Sequence, residues 1–102
     1  MSKRQKVAQV FPPGEFLRDE LEVRGWTQRD LANVLGRPLQ TVNQIINARK
    51  RITPETAVEL ATALDTSPEL WLNLENAYRL AQIEKVDARI ASRAKRLLAK
   101  AG

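Results

Sequence analysis

The stretch Trp26-Thr27-Gln28-Arg29-Asp30-Leu31-Ala32-Asn33-Val34-Leu35-Gly36-Arg37-Pro38-Leu39-Gln40-Thr41-Val42-Asn43-Gln44-Ile45-Ile46-Asn47 decides the fold. Its opening carries three agreeing helix-start devices. Thr27 is a good N-cap, Asp30 completes a capping box three positions on, and Trp26 is placed to staple onto Leu31. Ala32 offers a small side chain in mid-helix, where a second helix can approach. Gly36, four residues later, ends the helix where the chain must turn sharply and φ is expected to be positive. Arg37-Pro38 then opens the next helix, with proline near its first turn. Val42 and Ile45 follow Gly36 by six and nine residues and, with Ile46, face inward to lock this helix against the previous one. Two short helices joined by a tight glycine turn are the outline of a helix-turn-helix.

The face left over on the second of these helices is polar and uncharged: Gln40, Asn43, Gln44 and Asn47. Taken alone, such a face is an ordinary solvated surface. Here it follows the Ala-Gly-Val-Ile spacing and precedes the basic run Arg49-Lys50-Arg51. Gln and Asn hydrogen-bond bidentately to adenine edges in the major groove, so Gln40, Asn43 and Gln44 are candidate base contacts. A basic loop just behind a reading helix is placed to meet phosphates. Gln28, in the first turn of the preceding helix, sits where a helix N-terminus docks onto a phosphate.

Charge supports the same element. The chain of 102 residues has a net charge of +5, unevenly spread. Residues 37–53 hold four bases and no acid, and lie between a segment with five acids (14–36) and one with six (54–84). Overall basicity alone fits many anionic partners, whereas one acid-free stretch names an element. Composition also excludes. The chain has no Cys and no His, so a disulfide framework, a thiolate zinc site, the usual metal ligands and the commonest general base are all missing. No apolar run approaches the roughly 18 residues that span a bilayer. A cytoplasmic binding protein is expected, with no enzymatic activity, cofactor, metal or membrane.

Outward from the motif the pattern stays helical. Phe16, Leu17 and Leu21 share one face of a first helix that follows Pro12-Pro13-Gly14 and closes at Gly25. Thr53-Pro54 caps a fourth helix with the stripe Ala57, Leu60, Ala61 and Leu64, and Ser67-Pro68 caps a fifth. No alternating strand pattern competes. The expected organisation is a basic leader (1–11), a helical domain (12–84) and a basic amphipathic tail (85–102). In the tail, Ile83, Val86, Ile90, Ala94 and Leu97 repeat at helical spacing opposite Lys85, Arg89, Arg93, Arg96 and Lys100.

Helix five carries more apolar residues than one buried stripe needs. Leu70, Trp71, Leu74 and Tyr78 cover one side, while Leu72, Leu80 and Ile83 lie elsewhere. Either the tail folds back over the excess or a second copy covers it. A twofold dimer through Leu72, Tyr78, Leu80 and Ile83 would set two reading helices about 34 Å apart, as a palindromic operator requires.

The run Thr27 to Ala32, with Gly36, Thr41-Val42 and Ile45-Ile46-Asn47, resembles the lambda-repressor/Cro-type (XRE) helix-turn-helix family. Three further stretches narrow this. Pro13-Gly14-Glu15-Phe16-Leu17, Ile52-Thr53-Pro54-Glu55-Thr56-Ala57 and Thr66-Ser67-Pro68-Glu69-Leu70-Trp71-Leu72-Asn73-Leu74 together resemble the HigA antitoxins, also called virulence-associated protein I. The resemblance implies an all-α, lambda-repressor-like five-helix DNA-binding domain. It also implies a dimer that binds double-stranded operator DNA, represses its own operon, and neutralises a toxin similar to the RelE-type mRNA endonucleases. Carried over by position, Leu39, Gln40, Asn43 and Gln44 face bases, and Gln28, Asn47, Arg49 and Lys50 face phosphates. Leu39 replaces a more usual polar or small residue, and either meets a thymine methyl or packs partly inward. Ala48 stands where the family often has Gly. A stand-alone regulator of the same fold, with no toxin, is the alternative.

Overall fold

The computed structural model describes residues 11–83 and 87–101. Among them it contains six α-helices and no strand: α1 (Pro13–Arg24), α2 (Gln28–Leu35), α3 (Leu39–Ile46), α4 (Pro54–Leu64), α5 (Pro68–Gln82) and α6 (Ala88–Ala101). The all-α class and the helix order match the sequence reading. Leader residues 1–10, and Lys85 and Val86 of the tail pattern, lie outside the described residues.

Local chemistry sets most helix ends. At the start of α2, the Asp30 N–H donates to Thr27 Oγ1 at 3.0 Å and the Thr27 N–H donates to Asp30 Oδ2 at 2.8 Å, which completes the capping box. Thr53 and Ser67 cap α4 and α5 by accepting from the N–H groups of Thr56 (3.2 Å) and Leu70 (3.1 Å). Pro54 and Pro68 follow those caps, where a missing N–H costs nothing. α1 and α2 both close in Schellman turns: the Trp26 N–H donates to Leu21 O at 2.9 Å and the Arg37 N–H to Ala32 O at 3.0 Å. Gly25 and Gly36 occupy the left-handed positions, with φ of 71° and 69°.

Five helices contribute to one core, and Leu17, Leu31, Val42, Leu60 and Trp71 are fully buried, one from each of α1 to α5. Trp71 satisfies its indole by donating to Thr66 Oγ1 at 2.8 Å, and Phe16 packs edge-on against it with ring centres 5.3 Å apart. Trp26 lies half-buried against this core, of which Leu31 is a part.

Two tertiary contacts lock the frame. Gly14, buried in the first turn of α1, lies so close to the end of α3 that a Cβ there would sit 2.1 Å from Ile46 O and 2.7 Å from Ile45 O. Only glycine permits this approach, which sets the positive end of the α1 dipole against the negative end of α3. Arg24 donates to Leu64 O at 2.7 Å and so caps α4 across the core, while its other nitrogen holds Glu20 at 2.8 Å.

The tail departs from the sequence reading in one respect. Ile83 does not continue one apolar stripe into the tail. It caps α5 with extended backbone (φ −86°, ψ 103°), so it and Ile90 belong to different elements. Asp87 starts the new helix: its carbonyl accepts from the Ile90 N–H at 3.0 Å and its carboxylate from the Arg89 N–H at 2.9 Å. These two bonds satisfy donors at the N-terminus of α6, as a capping Asp does. Within α6 the amphipathic pattern holds, and its apolar side is open, with Ile90, Leu97 and Leu98 all exposed.

Candidate nucleic-acid interface

α3 presents two faces as its spacing requires. Val42, Ile45 and Ile46 are buried, while Gln40, Asn43 and Asn47 are exposed and Gln44 is half-buried. Leu39, at 36 % exposure, is partly shielded and lines the cleft between α2 and α3. The start of α2 stands beside this face. Asn43 Nδ2 donates to Gln28 Oε1 at 3.3 Å, which ties the two helices through the side chains that the sequence singles out. Thr27, Gln28, Arg29, Leu39, Gln40 and Asn43 line one open cleft between α2 and α3. Asn47 turns back along α3, its amide donating to Asn43 O at 3.0 Å.

Lys50 belongs to the other flank. It shares a cleft with Arg37, Thr41, Glu55 and Glu59, on the side of α3 marked by Thr41 rather than by Asn43. The structure therefore gathers Gln28, Leu39, Gln40 and Asn43 on one side of the polar face of α3, and Lys50 on the other. Arg49 is exposed in the loop after α3.

Electrostatics refines the basic stretch. Arg37 donates to both oxygens of Glu59 from α4, at 3.1 and 2.5 Å. That fork of hydrogen bonds raises the Arg37 pKa and lowers that of Glu59. One of the four bases of residues 37–53 is thereby compensated within the fold. Among the described residues, Arg49, Lys50 and Arg51 form no ion pair with a carboxylate, so the positive charge concentrates in the loop behind α3. Two residues escaped the sequence reading. Arg29 adds a cation to the α2–α3 cleft, and its signal was its place directly after Gln28. Glu75 is a carboxylate buried in the core, and nothing local distinguishes it from the exposed acids around it.

A helix-turn-helix family model matches residues 17–71, just the segment that builds α2, α3 and their supports. An addiction module antidote protein of a HigA family from Coxiella burnetii is 37 % identical, over 74 % of this chain and 83 % of that one, with a TM-score of 0.69. The chain belongs to the HigA family of helix-turn-helix antitoxins. The antitoxin HigA of Pseudomonas aeruginosa, solved with the higBA promoter, is 32 % identical over 87 % of this chain and 91 % of its own, with a TM-score of 0.69. The regulator YddM of Escherichia coli, described as an uncharacterized HTH-type transcriptional regulator, is 32 % identical over 78 % of this chain and 85 % of its own.

Membership in this family sharpens one departure. After α3 the Arg49 N–H donates to Gln44 O at 2.8 Å and the Ala48 N–H to Ile45 O at 3.1 Å, a third Schellman turn. Its left-handed position, with φ of 60°, is held by Ala48. An L-residue with a Cβ pays about 1 kcal/mol there, which glycine does not. The loop that carries Arg49-Lys50-Arg51 therefore leaves α3 through a strained residue.

Proposed function

We propose that this HigA-family chain is a sequence-specific operator-binding repressor and the antitoxin of a type II toxin–antitoxin pair. Residues 12–84 form the DNA-binding unit, with 85–102 appended. The observation that carries the reading is the uncharged polar face of α3, joined to the start of α2 through Asn43 and Gln28 and followed by a basic loop that forms no ion pair among the described residues. α3 enters the major groove. Leu39, Gln40, Asn43 and Gln44 face base edges, and Gln28, Asn47, Arg49 and Lys50 face phosphates. The Pseudomonas aeruginosa relative, solved with its promoter, supports the coarser reading that the chain binds operator DNA.

A palindromic operator needs two copies of the chain. Leu80 and Ile83 at the end of α5 are exposed apolar side chains open to a second copy, and Tyr78 and Leu72 on the same helix are half-buried. The toxin, in this reading, is a RelE-like mRNA endonuclease encoded next to the gene. Two experiments test the proposal. Titration of the chain's own promoter in a gel-shift assay should give a specific complex, and Gln44→Ala should weaken it by about 1–3 kcal/mol. Unchanged affinity for that variant rejects direct readout by Gln44. Co-expression with the adjacent open reading frame should then yield a toxic product that co-purifies with this chain. A harmless neighbour that does not bind leaves a stand-alone regulator.

A further inference from the structure

Glu75 is 5 % exposed on α5, far from the polar face of α3, and yet it reaches the loop that follows that helix. One of its oxygens accepts the Ile52 N–H at 3.1 Å, and the other is held by Arg79 one turn along α5. Ile52 is itself buried and directly follows Arg49-Lys50-Arg51. The basic run thus hangs between two fixed points: the strained turn at Ala48 and the Ile52 amide clamped by a buried carboxylate. An apolar residue of similar size would fill the core equally well at position 75. It could not satisfy the Ile52 N–H, and a buried, unpaired N–H drives its backbone to rearrange.

We propose that Glu75 is a positioning residue for the DNA interface, holding the backbone of the Arg49–Arg51 loop in the geometry that delivers its side chains to phosphates. This rests on the DNA-binding reading above. A loop ordered before encounter loses little conformational entropy on binding, whereas a loop freed from its second anchor must be ordered each time. Arg79 extends the link outward, because its guanidinium lies 5.2 Å from the centre of the Tyr78 ring at the α5 surface.

The test compares Glu75→Met, which keeps the length and volume but offers no good acceptor, with Glu75→Gln, which keeps a carbonyl oxygen for the Ile52 N–H. Glu75→Asp, one methylene too short to reach, replaces the Met variant should that one not fold. For folded protein well below its melting temperature, the acceptor-less variant should bind operator and random DNA about tenfold more weakly, a change equivalent to about 1.4 kcal/mol. Its slope of log affinity against log salt should fall by about one to two as phosphate contacts are lost. Hydrogen exchange at the Ile52 amide should accelerate in the same variant, and Gln should restore all three readouts. A folded Met or Asp variant with wild-type affinity and salt slope overturns the proposal. So does a Gln variant that loses as much as Met, since charge rather than the acceptor would then matter. A wild-type chain that shifts no DNA at low salt is a different result, and it brings down the DNA-binding reading together with this one.

Discussion

The two junctions that flank α3 solve the same turn in different ways. Between α2 and α3, Gly36 takes the left-handed position without strain, and the Schellman bond to Ala32 and the neighbouring Pro38 are local devices. Between α3 and α4, Ala48 takes the equivalent position at a cost, and the far end of the loop depends on Glu75, 23 residues away in sequence. The first junction leads into the polar face of α3 and stands largely on its own chemistry. The second carries the basic side chains and is held by the rest of the fold. Rigid display of α3 and placement of the basic loop are therefore separable properties.

The sharpest way to break the comparison is Gly14→Ala. Its Cβ would meet the backbone oxygens at the end of α3, where no side chain can give way, so a loss of about 3 kcal/mol is expected in denaturant titration. Both the stability and the DNA affinity of the remaining folded protein should suffer. A loss below about 1 kcal/mol would mean that α1 shifts freely and does not fix that end of α3.

Smaller changes probe the two ends of α2 and the junction after α3. Gly36→Ala has space around its Cβ but demands φ of 69°, so it should destabilise by about 1 kcal/mol. Thr27→Ala removes half of the capping box and should cost about 1 kcal/mol in thermal or chemical denaturation. Ala48→Gly runs the other way. Relief of left-handed strain exceeds the added freedom of the unfolded chain, so a gain of about 0.5 kcal/mol is expected. A loss instead would show that Ala48 contributes more by limiting the unfolded chain than it loses in strain.

The weakest effect belongs to Arg37 and Glu59, which brace the first junction against α4. The Glu59 pKa is lowered in the fold, so its contribution is present above the ordinary Glu value and is lost as pH falls through the lowered one. Both groups face solvent, so the effect should be small and should shrink further with added salt. Comparison of Glu59→Gln with the parent across acidic pH at low and high salt checks it. A difference that persists in high salt would point to packing rather than charge.

Most of this architecture was legible in the order of residues. The caps at Thr27, Thr53 and Ser67, the glycine turns, and the buried faces of α3 and α4 all rest on interactions between residues three to six positions apart. The polar face of α3 followed by subtraction, because the apolar positions claim the inner side. The tail was legible only in part. Its amphipathic helix could be seen in the spacing, but the end of α5 at Ile83 and the separate start of α6 after Asp87 could not.

Spacing along one chain was enough to set the helices, most of their ends and which face of α3 is polar, because those are local properties. Only the tertiary structure decided which charges are already paired, how closely two helices meet, and what holds the basic loop. Arg37 with Glu59, Gly14 against Ile46, and Glu75 with the Ile52 amide each join residues separated by 22 positions or more. A glycine reads as a turn and a glutamate as a surface charge until a distant segment arrives beside it, and that arrival is a property of the packed core rather than of any local pattern.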